Sequence, residues 1–298
     1  MHKVSVRQEI VDRVLARRGR YHWFEGLDPR RTALIVIDMQ ELFCAPGAPA
    51  EVPGSREIVG RAFILIEDTM HKVTVRQEII DRVLARRGRY HWFDELNPRR
   101  TALVVIDMQE LFCAPGAPAE VPGSREIVEP INALAEDLRK IGVPVIWVLH
   151  ANTQSSGRSD WELFFNYIVA DEVREKTRQS LAPGRQKVWS GLTVGPADTT
   201  IIKNRYSALI AGSSGLERLL RSLDIDTVLI AGTKTNICCE ATARDAMMLD
   251  FKVVMVSDCC AALSDDEHRA ALENMIQQFG DVMTGKEVLE RLRRQSNR

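Results

Sequence analysis

The sequence predicts an α/β protein with three layers, in which helices cover both faces of a parallel β-sheet. Two observations lead to this fold class. Apolar runs without polar interruption recur along residues 100–260, and such runs are typical of strands that are buried on both faces. Segments with helical spacing of apolar residues separate these runs, and regular alternation of strand and helix favours parallel strands joined by right-handed crossovers.

The first half of this pattern begins after Pro98. TALVVID is an apolar run that ends in Asp, and VPVIWVLH ends in His, so both fit buried strands. A loop rich in Pro and Gly precedes a third short run, TTIIK. The elements predicted in this half are strand 101–107, helix 128–140, strand 143–150, a helix near 161–178 and strand 199–203.

The second half continues the alternation. Ser264 followed by Glu267 is a capping box, which predicts a helix that begins at residue 265. Gly280 comes just beyond the expected end of that helix. The elements predicted here are helix 213–222, strand 226–232, helix 236–249, strand 252–258 and helix 265–278.

An internal repeat occupies the start of the chain. Residues 1–59 recur as residues 70–128 with six differences, at an offset of 69 positions. Only the second copy continues into a helix and a further strand, so it has the shorter connection to the rest of the sheet. We therefore expect residues 70–298 to form the domain, and residues 1–69 to be an appendage.

Each copy opens with a helical pattern that is rich in basic residues. Residues 70–100 carry eight Lys or Arg against four Asp or Glu. Such a helix can bind an anionic partner, but a solvated helix face or an oligomer contact explains the same charges. The apolar stripe of the second copy consists of Val75, Ile79, Ile80, Val83 and Leu84.

Composition argues against several classes of protein. The 298 residues carry a net charge of −1, which does not favour a general binder of nucleic acid or of membrane surfaces. No apolar run reaches the length of a membrane-spanning helix, and the start of the chain lacks an apolar signal core. The six cysteines form no C-x-x-C pair, so we expect reduced thiols in a cytoplasmic protein. From the charge and the composition we expect neither nucleic-acid nor membrane partners.

Polar residues follow the apolar runs where a ligand is expected. In open parallel sheets, ligands bind beyond the carboxyl ends of the strands. An acid, a base, an ammonium group and a thiol are therefore predicted to meet at one edge. The residues delivered there are Asp107, His150, Lys203, the adjacent pair Cys238 and Cys239, and Asp258.

A cysteine at the start of a helix suggests nucleophilic chemistry. Unpaired N–H groups and the helix dipole favour the thiolate, and a nearby lysine favours it further. A buried carboxylate can take the thiol proton and later return it to a leaving amine. Each residue alone also has a structural explanation, since Cys often packs in cores, Asp often caps turns and Lys is often solvated. The combination favours catalysis.

Three blocks, TALVVIDMQELF, TTIIKNRYSAL and AGTKTNICCEATARDAMML, resemble the isochorismatase-like cysteine hydrolases. The K-x-R-Y-S and T-N-x-C patterns are similar to those of the ureidoacrylate amidohydrolase type, and N-carbamoylsarcosine amidase is a further relative. The resemblance covers roughly residues 98–285. It implies a six-stranded parallel sheet of order 3-2-1-4-5-6 in a homo-oligomer, either a dimer or a tetramer.

The resemblance also implies roles for particular residues. It makes Asp107, Lys203 and Cys238 the catalytic residues, and it places a non-proline cis peptide between Thr233 and Lys234. The backbone N–H groups of Lys234 and Cys238 then form the oxyanion hole. Relatives often carry a small residue at the position of Lys234, so its side chain either neutralises a substrate carboxylate or points to solvent.

Two candidate catalytic residues each have an alternative of the same type in this chain. Cys239 falls where relatives usually carry Val, which implies that Cys238 is the nucleophile and Cys239 a packing residue. Asp38 of the first copy matches Asp107 of the second. Because only one copy can occupy the centre of the sheet, we expect Asp107 to be catalytic and Asp38 to be a bystander.

Two branches of the family fit the sequence less well. True isochorismatases act without a nucleophilic cysteine, and nicotinamidases carry a metal-binding D-x-H segment after the second strand. Here that segment reads LHANTQSSGRSDW, so we expect neither a metal nor a cofactor. His150 alone is more often a hydrogen-bonded structural residue than a ligand, and a Cys238–His150 dyad is a minor alternative.

The predicted function is hydrolysis of a C–N bond in a small amide, ureido or carbamoyl compound. The reaction would pass through a thioester and release ammonia or an amine. The alternative is a non-catalytic member of the same fold that acts as an oligomeric scaffold or binding module. The candidates for substrate contact, chosen by position and equally explained by packing, are Gln109, Phe112, Asn152, Trp161 and Tyr206.

Overall fold

A computed structural model describes residues 6–22, 32 and 75–296 of the chain. Asp38 lies outside these residues. Within the described ranges, no helix is long and apolar enough to cross a membrane.

The described residues fall into two compact units. One unit contains helix α1, Gln8–Arg18, together with Leu163–Glu172. In this unit the Arg20 guanidinium lies 5.3 Å from the centroid of the Tyr167 ring. No residue of α1 is buried. The other unit contains the sheet, and the division of the chain at residues 69 and 70 stays a prediction.

The second unit is built on a six-stranded parallel sheet. Its strands are β1 (Thr101–Ile106), β2 (Val145–His150), β3 (Thr199–Lys203), β4 (Thr227–Thr233), β5 (Lys252–Ala261) and β6 (Asp281–Met283). They lie in the order β3-β2-β1-β4-β5-β6, and all neighbours are parallel. This result confirms the predicted fold class and the strand order 3-2-1-4-5-6.

Helices flank this sheet, with short helical turns and one hairpin between them. The α-helices are α2 (Gln77–Arg87), α3 (Glu110–Cys113), α4 (Val128–Lys140), α5 (Asp171–Leu181), α6 (Leu216–Ser222), α7 (Glu240–Met248), α8 (Asp265–Asn274) and α9 (Gly285–Ser296). Turns of 3₁₀-helix span Pro98–Arg100 and Pro122–Arg125, and π-helical turns span Thr235–Cys239 and Met275–Phe279. A further π-helical turn, Phe164–Ile168, belongs to the first unit. A two-residue antiparallel hairpin pairs Gln154–Ser155 with Arg158–Ser159.

Most predicted elements agree with the structure to within a few residues, but the helix near 161–178 is wrong. A π-helical turn at Phe164–Ile168 and helix α5 replace it. Val169 between them has extended backbone, with φ −87° and ψ 124°. Aromatic and β-branched residues precede this break, and they lose rotamer freedom in a helix, which favours an interruption here.

The predicted end of strand 252–258 is also wrong, because β5 continues to Ala261. The pairing of β4 with β5 shifts register between Ile230 and Gly232, and this irregularity carries the strand past Asp258. The Asp258 carboxylate accepts the N–H of Gly285 at 2.9 Å and 3.1 Å, so it caps the start of α9. The expectation that Asp258 joins the site is therefore replaced by a structural role.

The sequence analysis did not predict two elements near the C-terminus, strand β6 and helix α9. Strand β6 has three residues, which is too short to show alternation. Helix α9 does carry a signal, since Val288 and Leu292 lie four residues apart and both are buried. The capping box before α8 is confirmed, because the Ser264 hydroxyl accepts the Glu267 N–H.

Candidate functional site

Three strands deliver the predicted catalytic side chains to one place. Asp107 follows β1, Lys203 ends β3, and Cys238 lies in the π-helical turn after β4. The Lys203 Nζ atom lies 2.9 Å from Asp107 Oδ2, and both side chains are fully buried. Cys238 is 4% exposed and interacts with both of them. Parallel pairing places the carboxyl ends of these strands at one edge, as predicted.

A close approach between β1 and β4 requires glycine at position 232. Gly232 pairs with Ile106, the residue before Asp107. A Cβ atom on Gly232 would lie 2.1 Å from the Ile106 carbonyl oxygen, and φ of Gly232 is +109°. No other residue fits this conformation and this space. Gly232 therefore allows the chain that leads to Cys238 to run directly beside Asp107.

The backbone of Asp107 is left-handed, with φ +56°. Asp tolerates this region better than most residues, and here hydrogen bonds hold it. Its N–H donates to the Val148 carbonyl, and its own carbonyl accepts the Gln109 N–H, both at 2.8 Å. The chain thus turns sharply at the end of β1.

Burial and charge determine the ionisation of the Asp107–Lys203 pair. Burial raises the pKa of Asp107, while Lys203 and the Cys238 thiol oppose part of this effect. Burial alone would lower the pKa of Lys203, but the Asp107 carboxylate outweighs it and raises that pKa. Lys203 is therefore a buried ammonium held beside a carboxylate that binds a proton more readily than a surface Asp.

His150 lies on the other side of Lys203. Its Nδ1 atom is 3.4 Å from Lys203 Nζ, which also donates to the Arg205 carbonyl at 3.0 Å. Burial, and next the Lys203 charge, lower the pKa of His150 well below its usual value. A neutral ring with Nδ1 facing an ammonium carries its proton on Nε2. This contact orients His150 toward Lys203.

The helix position of Cys238 predicts a lowered pKa for its thiol, and this prediction is wrong. Burial raises the pKa of Cys238 to about 12, and the Asp107 carboxylate raises it as well. Lys203 and Lys234 lower it, but by less. The helix start favours a thiolate only where the sulfur is not both buried and next to a carboxylate. At rest, Cys238 is a neutral thiol.

Residues that the sequence did not single out hold the turn around Cys238. The Thr242 hydroxyl donates to the Cys238 carbonyl at 2.7 Å and accepts the Ala208 N–H at 3.1 Å. The Thr235 hydroxyl lies 2.9 Å from His268 Nδ1, and both residues are buried. A histidine on the inner face of helix α8 was the available sequence signal for this last contact.

The remaining part of the turn agrees with the resemblance. The peptide between Thr233 and Lys234 is cis, as predicted. Lys234 is half-buried, and its charge lowers the pKa of both Asp107 and Cys238. Its ammonium group therefore contributes positive potential to the site.

Cys239 is fully buried, and its sulfur lies against the sheet. Its Sγ atom lies 3.8 Å from the Ala231 carbonyl oxygen, and Cys260 Sγ lies 3.5 Å from that of Ile230. Burial raises the pKa of Cys239 well above its usual value, and a hydrogen bond with Cys260 adds to this effect. Cys239 thus packs in the core between β4 and β5.

Residues 101–287 match the model of the isochorismatase domain. The chain belongs to the isochorismatase family. It is a hydrolase of this α/β fold, and the predicted family is confirmed.

Curated proteins similar to this chain align with about two thirds of it. The isochorismatase family protein YecD of Escherichia coli O157:H7 is 31% identical over 202 residues, which are 66% of this chain and 99% of YecD. Enterobactin synthase component B of Escherichia coli (strain K12) is 31% identical over 198 residues, and the chain spans 63% of its length. Ureidoacrylate amidohydrolase RutB of Methylobacterium radiotolerans is 27% identical over 201 residues, 63% of this chain and 77% of RutB.

Solved structures of the family share the fold. A cysteine hydrolase from Pseudomonas syringae pv. phaseolicola 1448A superposes with a TM-score of 0.58 and 30% identity, covering 67% of this chain and 95% of that one. N-carbamoylsarcosine amidase from Thermoplasma acidophilum superposes with a TM-score of 0.50 over 62% of this chain and 96% of that one. The second likeness, at 24% identity, concerns the fold alone.

In this isochorismatase-family hydrolase, two of the predicted substrate contacts are engaged within the protein. The Gln109 amide donates to the His150 carbonyl at 3.1 Å and accepts the His150 N–H at 2.6 Å. The Asn152 amide nitrogen donates to Asp160 Oδ1 at 2.7 Å and to the Asn204 carbonyl at 3.2 Å. Both amides thus hold the backbone around the end of β2, and their predicted contact with substrate stays a prediction.

The predicted aromatic contacts lie in two places. The Trp161 ring stacks on His150 with centroids 5.7 Å apart and meets Tyr206 edge-to-face at 4.7 Å. The Arg205 guanidinium lies 5.3 Å from the Trp161 ring centroid. This aromatic group therefore adjoins the Lys203 side of the site. Phe112 is buried in α3, where its carbonyl accepts the Val121 N–H at 2.8 Å.

A cavity of about 370 Å³ lies beside the site of this hydrolase. It borders Gln109, two residues after Asp107, and it is not centred on the catalytic side chains. Three cations and one acid line it, namely Lys176, Arg185, Lys187 and Glu110. Over the part of the chain that the structure describes, no cluster of three or more His, Cys, Asp or Glu is arranged to hold a metal ion.

Proposed function

We propose that this hydrolase is a cysteine amidohydrolase that cleaves a C–N bond in a small amide, ureido or carbamoyl compound. One observation carries the proposal: a thiol, a carboxylate and an ammonium group share one buried cluster at the carboxyl edge of the sheet. Lys203 Nζ is 2.9 Å from Asp107, and the Cys238 thiol interacts with both groups. This set supplies a nucleophile, a base and a compensating charge.

The first step is proton transfer from Cys238 to Asp107. Because the pKa of the thiol is raised to about 12, a thiolate does not accumulate before the substrate arrives. Burial raises the pKa of Asp107, which makes it a stronger base than a surface carboxylate. The Lys203 ammonium keeps the net charge of the buried cluster small while the proton moves.

Bond formation and bond cleavage follow in order. The Cys238 sulfur forms a bond to the substrate carbonyl carbon, and the oxygen becomes an oxyanion held by the N–H groups of Lys234 and Cys238. Asp107 returns its proton to the nitrogen as the C–N bond breaks, and ammonia or an amine leaves. Water, which gives a proton to Asp107, then attacks the thioester. The acid is released and the proton returns to the Cys238 sulfur.

Charge and family relatives support this substrate class. Lys203 and Lys234 both place positive potential at the site, which suits a substrate with a carboxylate next to the reacting amide. A relative named ureidoacrylate amidohydrolase is 27% identical over 201 residues, and a solved structure described as a cysteine hydrolase shares the fold at 30% identity. We therefore propose small ureido and amide acids as the first substrates to test.

Adjacent cysteines provide a matched test of this mechanism. Ammonia release from ureidoacrylate, N-carbamoyl amino acids, biuret and nicotinamide is measured for the parent chain, Cys238→Ala and Cys239→Ala. We expect Cys238→Ala to lose at least about 10³-fold in kcat/KM for the active substrate. Cys239→Ala should change it by less than about tenfold, since it removes only a core thiol. Full turnover in Cys238→Ala would refute the mechanism.

The covalent intermediate distinguishes catalysis from a scaffold role. Rapid quenching followed by mass spectrometry should find the acyl group of the substrate on Cys238 and not on Cys239. If no compound releases ammonia and no acyl group is trapped on any cysteine, the alternative of a non-catalytic oligomeric member of the fold gains support instead.

A further inference from the structure

The second copy of the repeat is held to the sheet-containing unit by a buried carboxylate at its start. We refer to residues 75–93 as the second-copy arm. Glu273 of helix α8 is 4% exposed and binds Arg76 through the backbone N–H at 3.0 Å and the guanidinium at 2.6 Å to 3.1 Å. A buried carboxylate without such partners is costly, so Glu273 needs an arginine at this position.

A second buried carboxylate holds the other end of the arm. Asp281 at the start of β6 is fully buried and accepts the N–H groups of Trp92 and Phe93, at 2.7 Å and 3.1 Å. His91 Nδ1 lies 2.9 Å from the same carboxylate. Between these ends, the arm buries three apolar side chains of α2, namely Ile79, Ile80 and Val83. We call the surface that binds the arm the docking surface. It combines the carboxylates of Glu273 and Asp281 with the apolar groove that receives Ile79, Ile80 and Val83.

The first copy carries every residue that this surface recognises. Residues 6–24 differ from residues 75–93, the second-copy arm, only by Val11 in place of Ile80. Helix α1 has the same bounds in the repeat as α2, but none of its residues is buried. Ile10, Val11 and Val14 of α1 are half-buried and Leu15 is 40% exposed, so this apolar stripe is less covered than that of α2.

We propose that the docking surface of one molecule also binds residues 6–22 of a second molecule of this chain. Arg7 then takes the place of Arg76 at Glu273, and His22 takes the place of His91 at Asp281. The partner is a second copy of this chain, and reciprocal exchange of arms produces a two-fold dimer. This inference is independent of the proposed function.

The covalent connection of the two arms controls this exchange. Residues 94–100 link the second-copy arm directly to β1, so its local concentration at the surface is high. The first-copy arm of another molecule competes at the concentration of the protein in solution. Exchange is therefore expected when the protein is concentrated or when the second-copy arm is weakened.

A labelled peptide isolates the recognition step. Fluorescence anisotropy is used to titrate a peptide of residues 4–24 with the full chain and with its Arg76→Ala variant. The variant should bind the peptide about tenfold more tightly, because the tethered competitor has lost a charged hydrogen-bond partner that the peptide supplies. A peptide carrying Arg7→Ala is the matched control and should lose this gain. Equal affinity of both peptides for the variant overturns the proposal.

Sedimentation of the full chain tests exchange between whole molecules. Arg76→Ala should associate in a concentration-dependent manner beyond the parent chain, and adding Arg7→Ala should remove the extra association. Val83→Ala, which keeps both ion pairs, serves as the weakened arm if Arg76→Ala does not fold. Cross-linking then shows which molecule holds the first arm. If Arg76→Ala sediments like the double variant and its first arm is cross-linked to its own Glu273 surface, the assignment to a second molecule is wrong.

Discussion

Helices α1 and α2 are two nearly identical segments in different surroundings. Their sequences, QEIVDRVLARR and QEIIDRVLARR, differ at one position. Both end at a left-handed glycine, Gly19 with φ 68° and Gly88 with φ 72°. Yet α1 buries no residue and α2 buries three. Local sequence therefore determines that a helix forms and where it ends, while its burial depends on the surface that the rest of the chain offers.

The surface around α2 explains the difference. Glu273 and Asp281 are buried carboxylates that bind the arm at both ends, and Arg87 donates to the Ile276 carbonyl at 2.9 Å. Full burial of an Ile or Val side chain contributes roughly 1.5–3 kcal/mol. The second copy thus contributes stability that the same residues do not contribute in α1, where they remain at least partly exposed.

The largest expected effect is a loss of activity, and it compares the matching residues Asp107 and Asp38 of the two copies. Asp107→Asn removes the proposed base beside Lys203 and Cys238 and should lower kcat/KM by about 10³-fold. Asp38→Asn, the same change in the first copy, should leave it unaltered. Steady-state kinetics on the active substrate would check both. Loss of activity in Asp38→Asn alone would mean that the first copy supplies the catalytic strand.

An intermediate effect concerns stability. Ile79→Ala removes a buried side chain of α2 and should lower the free energy of unfolding by about 2–4 kcal/mol. Ile10→Ala, at the matching position of α1, should lower it by about 1 kcal/mol or less, because Ile10 is only half-buried. Urea unfolding followed by circular dichroism measures both values. Equal losses in the two variants would show that the copies are equally buried in solution.

The smallest expected effect is a pH dependence carried by one histidine. Burial alone lowers the pKa of His91, but hydrogen bonds to Asp281 and Glu287 outweigh it and raise that pKa to about 9. The stabilisation is fully present below the pKa of about 6.5 in the unfolded chain, and it is lost as pH rises through about 9. The free energy of unfolding should therefore fall between about pH 6 and about pH 9.5.

Matched glutamine variants assign this dependence. His91→Gln should flatten the stability profile over this range, whereas His22→Gln in the first copy should leave it as in the parent chain. An unchanged slope in His91→Gln would mean that another group titrates in this interval.

The sequence predicts the centre of the fold and of the site well, because the signals there are local. Each buried strand of the core is an uninterrupted apolar run, and polar residues at strand ends share one edge in any parallel sheet. Asp107, Lys203 and Cys238 thus meet as predicted. The Cys238 thiol interacts with Asp107 and Lys203, whereas the Cys239 sulfur lies against the Ala231 carbonyl, and the choice of Cys238 as nucleophile stays a prediction.

The sequence-based errors concern quantities that depend on the assembled structure. The pKa of Cys238 is set by the depth of its burial and by a carboxylate 131 positions earlier in the chain, and helix position alone gives the opposite direction. Strand β5 passes Asp258 because its register with β4 shifts near Gly232. The short strand β6 pairs only because β5 is already in place, so periodicity cannot reveal it.

The ion pair between Arg76 and Glu273 joins residues that are 197 positions apart, and this separation has a consequence for synthesis. At the usual rate of translation, Glu273 is added about 10 to 40 seconds after Arg76. Until then, the surface that receives the second-copy arm is incomplete. Docking of this arm therefore has to wait for the C-terminal elements, and its apolar side chains Ile79, Ile80 and Val83 have no groove to enter while the sheet is being made.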